Sequence, residues 1–445
     1  MTLVSAATEE AIQKNVVAVR DADDERGASE VVRRLLRRPL SAEAAVQVAL
    51  LNNRGLQAAF SELASAEAQI VESSLPPSPT FSLLRLASSA ELEIERKIVA
   101  DILSLATLPA RADIAADRFL QAQYRAIAET LRVATEARRA YYRAVAARES
   151  AGALAQAKLA AGAASELAGK LGATGAMNKL DQAREHVFYA EVSAQSATAQ
   201  QRIASERERL IRALGLWGND LGFRLPNALP ALPPRIQALP SVEVEAVRRR
   251  VDVRIARIEL DLMAKSASLT QATRFLNLLE LAGISKTTRE AGSSPVHARG
   301  VEAEFQIPLF DFGEARVRQA EEKYRAALHL LAEKAVNARS EAREAYVAYR
   351  SSYEIAVHYQ REILPLRKII AEETQLRYGA MQIDDFALLV EARQRLAAIG
   401  TAIEAKRDFW LRKTDVLNAV LGGAAAASND SPAPMSAPES RAGGH

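Results

Sequence analysis

The sequence predicts a mainly α-helical protein with a small β part, built from a helix-strand-strand-helix-helix unit that occurs twice. Three sets of matching residues indicate the duplication. At an offset of 197 positions the first helices match, pairing Leu56, Ala59, Glu62 and Leu63 with Val253, Ala256, Glu259 and Leu260. At an offset of 209 the strands match, pairing Glu93, Glu95 and Ile98 with Glu302, Glu304 and Ile307. At an offset of 204 the last turns match, pairing Gly175-Ala176-Met177 with Gly379-Ala380-Met381.

The composition narrows the possible function classes. The 445 residues are 49% hydrophobic but only 5% aromatic, which is typical of closely packed helices. The 58 basic and 55 acidic residues are interspersed, which indicates a solvated helix surface and no nucleic-acid partner. The absence of cysteine excludes disulfides, thiolate catalysis and cysteine-based metal sites.

The N-terminal part is charged and weakly patterned over residues 1–40, and it lacks the apolar core of a secretory signal. No run of 18 apolar residues occurs, so we expect no transmembrane helix. The first repeat is expected over 41–218. Ser41 is a good helix N-cap, and Pro76 ends the helix that follows.

Two short strands are expected in each repeat. Acidic and aliphatic residues alternate strictly from Glu91 to Glu95, and alternation returns from Val301 to Ile307. Such strands have one polar and one apolar face, which suits a barrel wall with an apolar outside and a wet inside. The expected strand ranges are about 80–87, 91–98, 275–281 and 301–309.

The long helices follow seven-residue repeats, which predict left-handed coiled-coil packing. One helix is expected from about 314 to 377, with a kink or break at Pro365. A return helix repeats at Leu389, Leu396, Ile403, Trp410 and Leu417. The first repeat has corresponding helices at about 111–170 and 178–214. Together these helices predict an elongated tube and no enzyme pocket.

The remaining segments connect or follow the two repeats. A proline-rich linker is expected over 219–240, and the second repeat over 241–421. Residues 422–445 contain mainly Ala, Ser, Pro and Gly, and we expect them to be disordered.

Taken in order and with their duplication, several motifs resemble the TolC-like outer-membrane efflux proteins. The resemblance covers roughly residues 39–422. The motifs are Ala49–Ala59 and Leu108–Arg111 in the first repeat, and Arg250–Ala256, Ile307–Gly313 and Arg377–Met381 in the second.

The resemblance implies a homotrimer in which the long helices form an α-barrel continuous with a transmembrane β-barrel. It implies a passive outer-membrane channel with a periplasmic extension, working with a periplasmic adaptor and an inner-membrane pump. It implies no enzymatic activity and no cofactor. A soluble coiled-coil scaffold is the alternative, favoured by the missing secretory signal and opposed by the duplicated, alternating strands.

Three groups of residues are candidates for function. The acidic residues Glu93, Glu95, Glu302 and Glu304 line the channel lumen or form a solvated sheet face. The turns at Gly175, Ala176 and Met177 and at Gly379, Ala380 and Met381 contact the adaptor or serve as plain helix ends. By the resemblance, Asp384 and Asp385 form the tunnel gate; alternatively, they stabilise a helix N-terminus.

The chain offers no pattern of catalytic or metal-binding residues. The five histidines share no metal-ligand spacing: His186, His297, His329, His358 and His445. No nucleophile-base arrangement and no phosphate-binding glycine loop is present. We therefore expect no catalytic or metal site.

Overall fold

The computed structural model describes residues 1–89, 91–290 and 292–422. The predicted disordered tail at 422–445, apart from Gly422, lies outside these residues. The N-terminal and first-repeat elements are α1 (Thr2–Ile12), α2 (Ala22–Leu36), α3 (Ala42–Asn52), α4 (Arg54–Ser74), β1 (Thr80–Ala87), β2 (Glu91–Asp101), α5 (Ile102–Ala106), α6 (Leu108–Ala173) and α7 (Lys179–Leu214). The second-repeat elements are α8 (Val242–Arg249), α9 (Val251–Ala272), β3 (Leu278–Glu290), β4 (Val296–Gln306), α10 (Glu314–His358), α11 (Leu364–Gly379) and α12 (Asp385–Leu421). The prediction of a mainly helical protein with a small sheet is confirmed.

The two repeats share a detail of backbone geometry. The first two helices of each repeat are separated by one extended residue, Asn53 in one and Arg250 in the other, 197 positions apart. The last helix of each repeat ends at a left-handed glycine that lies against this break. A Cβ atom on Gly215 would lie 2.8 Å from the Asn52 carbonyl oxygen, and one on Gly422 would lie 2.9 Å from the Val251 nitrogen. In both repeats, therefore, the end of the last helix packs against the break between the first two helices.

The long helices form two antiparallel hairpins. Helix α6 has 66 residues, which corresponds to about 100 Å, and it returns through α7. In the second repeat a π-helical turn at Tyr359–Ile363 separates α10 from α11. Pro365 lacks an amide hydrogen and its ring crowds the preceding turn, which accounts for a wider turn at the predicted break.

The apolar core lies between the helices. In α12, the side chains of Phe409 and Leu389 are 0% and 5% exposed. The Phe409 ring stacks on Tyr349 with centroids 5.6 Å apart. The proline-rich linker is fixed to this core, because the Trp410 indole donates to the Pro230 carbonyl oxygen at 3.2 Å.

Two regions differ from the sequence prediction. Residues 1–40 contain two helices, and α1 buries Val4 and Thr8 against the body. Strand β3 begins later and ends later than the expected 275–281, and β4 begins and ends earlier than the expected 301–309. The added part of β3 contains one large aliphatic residue, Ile284, and is otherwise small, polar or charged, so it gave no strand signal.

The four strands form one antiparallel sheet in the order β1-β2-β3-β4. The pairing of β2 with β3 joins the two repeats, while β1 and β4 are the edges. No helix among the described residues is long and apolar enough to cross a membrane.

Candidate channel wall and helix tips

The register of the sheet sorts its residues into two faces, because opposed residues in an antiparallel pair share a face. Glu93, Glu95, Glu302 and Glu304 all fall on one face, which we call the polar face. It holds every carboxylate of the four strands: Glu91, Glu93, Glu95, Asp101, Glu280, Glu290, Glu302 and Glu304. The two lysines of the sheet, Lys97 and Lys286, lie there too.

The opposite face, which we call the apolar face, carries most of the large aliphatic and aromatic residues of the sheet. They are Phe81, Leu83, Leu92, Ile94, Ile98, Leu279, Leu281, Val301 and Phe305. The alternation in the sequence therefore predicted correctly which of these residues share a face.

The apolar face is exposed, which is the reverse of its position in a soluble sheet. On this face, Val301 is 77% exposed and Phe81 is 64% exposed. On the polar face, the side chains of Glu93 and Lys97 on the central strand β2 are 21% and 26% exposed, and that of Glu302 on the edge strand β4 is 45% exposed. In water this arrangement would leave a large apolar surface uncovered, which soluble monomers rarely do.

Two ion pairs cross the polar face: one reaches from β2 over β3 to β4, and the other joins the neighbouring strands β3 and β2. The Lys97 Nζ atom lies 2.8 Å from Glu302 Oε2, and the Lys286 Nζ atom lies 2.6 Å from Glu93 Oε1. Eight carboxylates against two lysines leave the polar face strongly negative. A surface of this charge raises the local concentration of cations.

Exposed aromatic rings follow the end of β4 and precede β3, at the end of the sheet that leads into the helices. Phe310 is 105% exposed, Phe275 57% and Phe312 53%, and we call these three rings the aromatic foot. Exposed aromatic rings beside an apolar band are typical of the interfacial girdles of membrane barrels.

The passage from sheet to helix depends on Gly313. Its φ is +74°, and a Cβ atom there would lie 2.2 Å from the Arg274 carbonyl oxygen. The Asp311 carboxylate accepts a hydrogen bond from the Gly313 amide at 3.0 Å. No other residue fits this position without moving the backbone that precedes β3.

The two helix hairpins turn through the same backbone motif at their tips. The Gly175 residue is left-handed, and the Ala176 amide donates to the Leu171 carbonyl oxygen at 2.9 Å. In the second hairpin the left-handed residue is Met381, and the Gln382 amide donates to the Arg377 carbonyl oxygen at 2.9 Å. Both turns therefore form the same helix C-terminal cap.

This geometry corrects the alignment of the two tips. The sequence pairs Gly175-Ala176-Met177 with Gly379-Ala380-Met381 at an offset of 204, whereas the backbone pairs Gly175 with Met381 at an offset of 206. The two Gly-Ala-Met sequences are therefore shifted by two positions relative to the structurally equivalent residues. Met381 thus holds a left-handed backbone with a side chain that is 95% exposed, which costs roughly 1–2 kcal/mol relative to glycine.

The two predicted gate aspartates have different local roles. The Asp384 carboxylate accepts a hydrogen bond from the Ala387 amide at 3.0 Å, so it caps α12. Asp385 is half-buried and hydrogen-bonds Tyr378, an interaction that raises the pKa of the Tyr378 phenol.

Asp385 also lies close to an acidic residue of the first hairpin. Burial raises the pKa of the Glu185 carboxyl, and the negative charge of Asp385 raises it further. The Arg184 guanidinium lies 4.6 Å from the centre of the Phe386 ring, so the two hairpins touch at this level. Sequence reasoning missed Glu185 and Tyr378, because each lies on a different helix from Asp385 and no spacing along the chain relates them.

The described residues contain no cluster of three or more His, Asp or Glu side chains that could hold a metal ion. His186 makes a hydrogen bond with Ser165 at 2.6 Å, and His297 one with Thr287 at 3.1 Å. These histidines have ordinary polar partners. His445 lies outside the described residues.

A comparison with protein families finds no matching family, and a comparison with curated proteins finds no match. Solved structures do match. The CmeC outer-membrane channel of Campylobacter jejuni is 19% identical with a TM-score of 0.72, over 86% of this chain and 86% of that one. The outer-membrane channel OprN is 19% identical with a TM-score of 0.71, over 94% and 95%. The open state of the Neisseria gonorrhoeae MtrE outer-membrane channel is 16% identical with a TM-score of 0.69, over 85% and 88%.

These similarities extend over nearly the full length of both partners, so they concern the whole duplicated architecture. Because the sequence identities are below 20%, these similarities establish the fold alone. The chain therefore has the TolC-like fold of the outer-membrane efflux channels, as the resemblance in its sequence implied.

Proposed function

We propose that this chain is the outer-membrane channel of a tripartite efflux system, a passive exit duct with a periplasmic extension. The observation that carries the proposal is the inverted sheet, which exposes its apolar face and carries all of its carboxylates on the opposite, polar face. An apolar outer wall suits lipid, and a polar inner wall suits a water-filled pore.

The proposal requires a homotrimer. Four strands leave β1 and β4 as open edges, and open edges are not tolerated in lipid. Three copies would supply twelve strands, which is within the range of closed membrane barrels. Exposed apolar side chains on the helices favour association between copies as well: Leu159 is 76% exposed, Leu376 70% and Val336 67%.

In this proposal the helix tips contact a periplasmic adaptor, which links the channel to an inner-membrane pump. The tip residues Gly175, Ala176, Gly379, Ala380 and Met381 are exposed, and Met177 is half-buried. An exposed methionine on a fixed turn suits an apolar contact with a partner. The pump supplies the energy, and the channel performs no catalysis.

The lumen and the gate are parts of the same proposal. Glu93, Glu95, Glu302 and Glu304 would face the pore and favour cations. Asp385, with Glu185 beside it, would carry the negative charge at the narrow end, and Asp384 would fix the start of α12 next to it. The alternative, a soluble scaffold, does not account for an apolar face exposed on a β-sheet.

The test is the behaviour of the purified protein in detergent and in planar bilayers. The proposal predicts a trimer that inserts and conducts with a preference for cations. A monodisperse monomer that does not insert would contradict it.

The gate has its own variant and a matched control. Asp385→Asn should weaken cation block or cation preference while leaving the trimer intact. Asp384→Asn also removes one charge at the tip but keeps a good helix cap, so it should change conductance less. Equal, wild-type conductance and selectivity in both variants would limit Asp385 to stabilising the helix N-terminus.

A further inference from the structure

The arginines of the sheet are distributed as strictly as its acids, but on the other side. Arg85, Arg96, Arg289 and Arg299 all fall on the apolar face, where the described strands contain no carboxylate. All four are exposed, and no ion pair within the described residues involves them. Arginine on a lipid-facing surface is costly, roughly 2–4 kcal/mol at the bilayer midplane and about 0–1 near its edges.

Two of these arginines flank the same residue. Arg96 on β2 and Arg299 on β4 both lie opposite Ser285 on β3. They are therefore two strand spacings apart, about 10 Å, with only a small hydroxyl side chain between them. Two guanidinium groups at this separation can converge on one anionic group above Ser285.

The same face forms a shallow apolar groove next to Ser285. This groove lies on the side of Ser285 that is nearer to the helices. Gly283 lies opposite both Ile98 and Val301. A Cβ atom at Gly283 would meet nothing within 4 Å, so the space above this backbone is open. An aliphatic chain laid along β3 would be flanked by Ile98 and Val301, with its polar end between the two arginines.

The arginine row also lies at a suitable height. Apolar residues continue from Ile98 and Val301 down to the exposed rings of Phe305, Phe310 and Phe312. From Arg299 to Gln306 is seven residues, which in a strand tilted by about 40° rises roughly 18 Å. With the aromatic foot below it, this spans most of the roughly 25 Å apolar band of a membrane barrel. The arginines thus fall at the polar boundary nearest the hairpin turns.

We propose that Arg96 and Arg299 bind the phosphate group of a membrane lipid in the outer leaflet, with one acyl chain lying over Gly283. The inference rests on the proposed function, since it requires that the apolar face meets lipid. Arginine is the side chain best suited to the planar, bidentate recognition of phosphate. A lipid phosphate also accounts for two arginines that have no acidic partner on this face.

The experiment uses the full-length trimer, delipidated in detergent and titrated with lipid A, a diphosphorylated glycolipid, under native mass spectrometry. The variant is Arg96→Leu/Arg299→Leu, and the control is Arg318→Leu, which removes an exposed arginine from α10 outside the sheet. We expect wild type and control to bind lipid A alike and the double variant to bind about 10-fold more weakly or worse, because charge-assisted hydrogen bonds are lost.

Further arms separate the possible failures. Lipid A stripped of its phosphates should bind to wild type as weakly as lipid A binds to the double variant. Millimolar inorganic phosphate should not displace lipid A, because it lacks the acyl contact. A conducting trimer whose double variant holds lipid A as tightly as wild type would overturn this inference alone. A chain that neither trimerises nor inserts would overturn the proposed function and this inference together.

Discussion

The helical body buries its apolar side chains, whereas the sheet exposes many of its apolar side chains at the surface. In the body, the Phe409 ring is 0% exposed and the ion pairs lie mostly at the surface. In the sheet, Val301 is 77% exposed, while the Lys286–Glu93 ion pair lies on the opposite, polar face. The same hydrophobic effect produces both arrangements if water surrounds the body and fills the sheet's inner side, while lipid covers the sheet's outer side.

Under the proposed function, one chain contains surfaces that face two solvents, with the boundary near the aromatic foot and Gly313. The effects of substitutions on the two kinds of surface can therefore be compared directly. A substitution that is damaging on one kind of surface should have a smaller effect at a matched position on the other.

The largest effect is expected from a charge on the apolar face. Val301→Arg should reduce membrane assembly, since the cost of a lipid-facing arginine rises with its distance from the boundary at Arg299, up to roughly 2–4 kcal/mol at the midplane, and a trimer carries three copies. The measurement is the yield of heat-resistant trimer in outer-membrane extracts. Ala298→Arg, on the polar face of the same strand, is the control and should assemble. If both variants assemble equally, the apolar face is not in lipid.

The next prediction compares the loss of stability on removing a buried phenylalanine with that on removing an exposed one. Phe409→Ala should lower the free energy of unfolding by about 3–5 kcal/mol, because it removes a ring from a filled core. Phe310→Ala, at the aromatic foot, should leave stability in detergent within about 0.5 kcal/mol of wild type. Chemical denaturation of the detergent-solubilised protein measures both. A comparable loss for Phe310→Ala would place that ring inside a packed core.

The boundary between the regions should be sensitive at Gly313. Gly313→Ala adds a Cβ atom 2.2 Å from a backbone oxygen, and we expect it to cost about 2–5 kcal/mol. Gly175→Ala has a similar positive φ of +77° at the tip but open space around it, so it should cost only roughly 1–2 kcal/mol. Equal losses in thermal unfolding would mean that the close approach at Gly313 is relieved without cost.

The smallest effect concerns the half-buried acid Glu185 near the tips. The pKa of Glu185 is raised above its ordinary value of 4.5 by burial and by Asp385, so the folded tip holds its proton more tightly than the unfolded chain. Stability at the tip should therefore be highest near pH 4.5 and below, and should fall as the pH rises through the raised pKa. Glu185→Gln should abolish this fall, whereas Glu208→Gln, an exposed acid farther along α7, should not.

Hydrogen exchange of the tip peptides, corrected for the intrinsic rate at each pH, measures this dependence. The same pH profile in Glu185→Gln and wild type would show that another group controls it.

Sequence reasoning predicted what depends on local periodicity. The alternation around Glu93 and Glu302 placed these residues on one face, and the heptad positions Leu389 and Ile403 are buried. The 197-residue offset also matches the breaks at Asn53 and Arg250. These features are determined by patterns within a few turns of helix or strand.

The rest depends on contacts between distant segments, which periodicity does not encode. Helix α1 is held by burial of Val4 against the body, and its own sequence is too mixed to predict it. The approach of Glu185 to Asp385 joins two hairpins that lie some 200 residues apart. Met381 is the counterpart of Gly175 by backbone geometry. The sequence alignment missed this because the shared Gly-Ala-Met sequence matches at an offset that differs by two positions.

The most direct test of the central claim uses the absence of cysteine from the chain, which allows single labels without background. Val301→Cys and Glu302→Cys are adjacent residues on opposite faces of β4. Each would carry a bimane label in the reconstituted trimer, exposed in turn to brominated lipid and to a water-soluble quencher. We expect lipid to quench the label at position 301 and the aqueous reagent to quench the label at position 302. Equal quenching of both labels by either reagent would contradict the inverted sheet as a membrane wall.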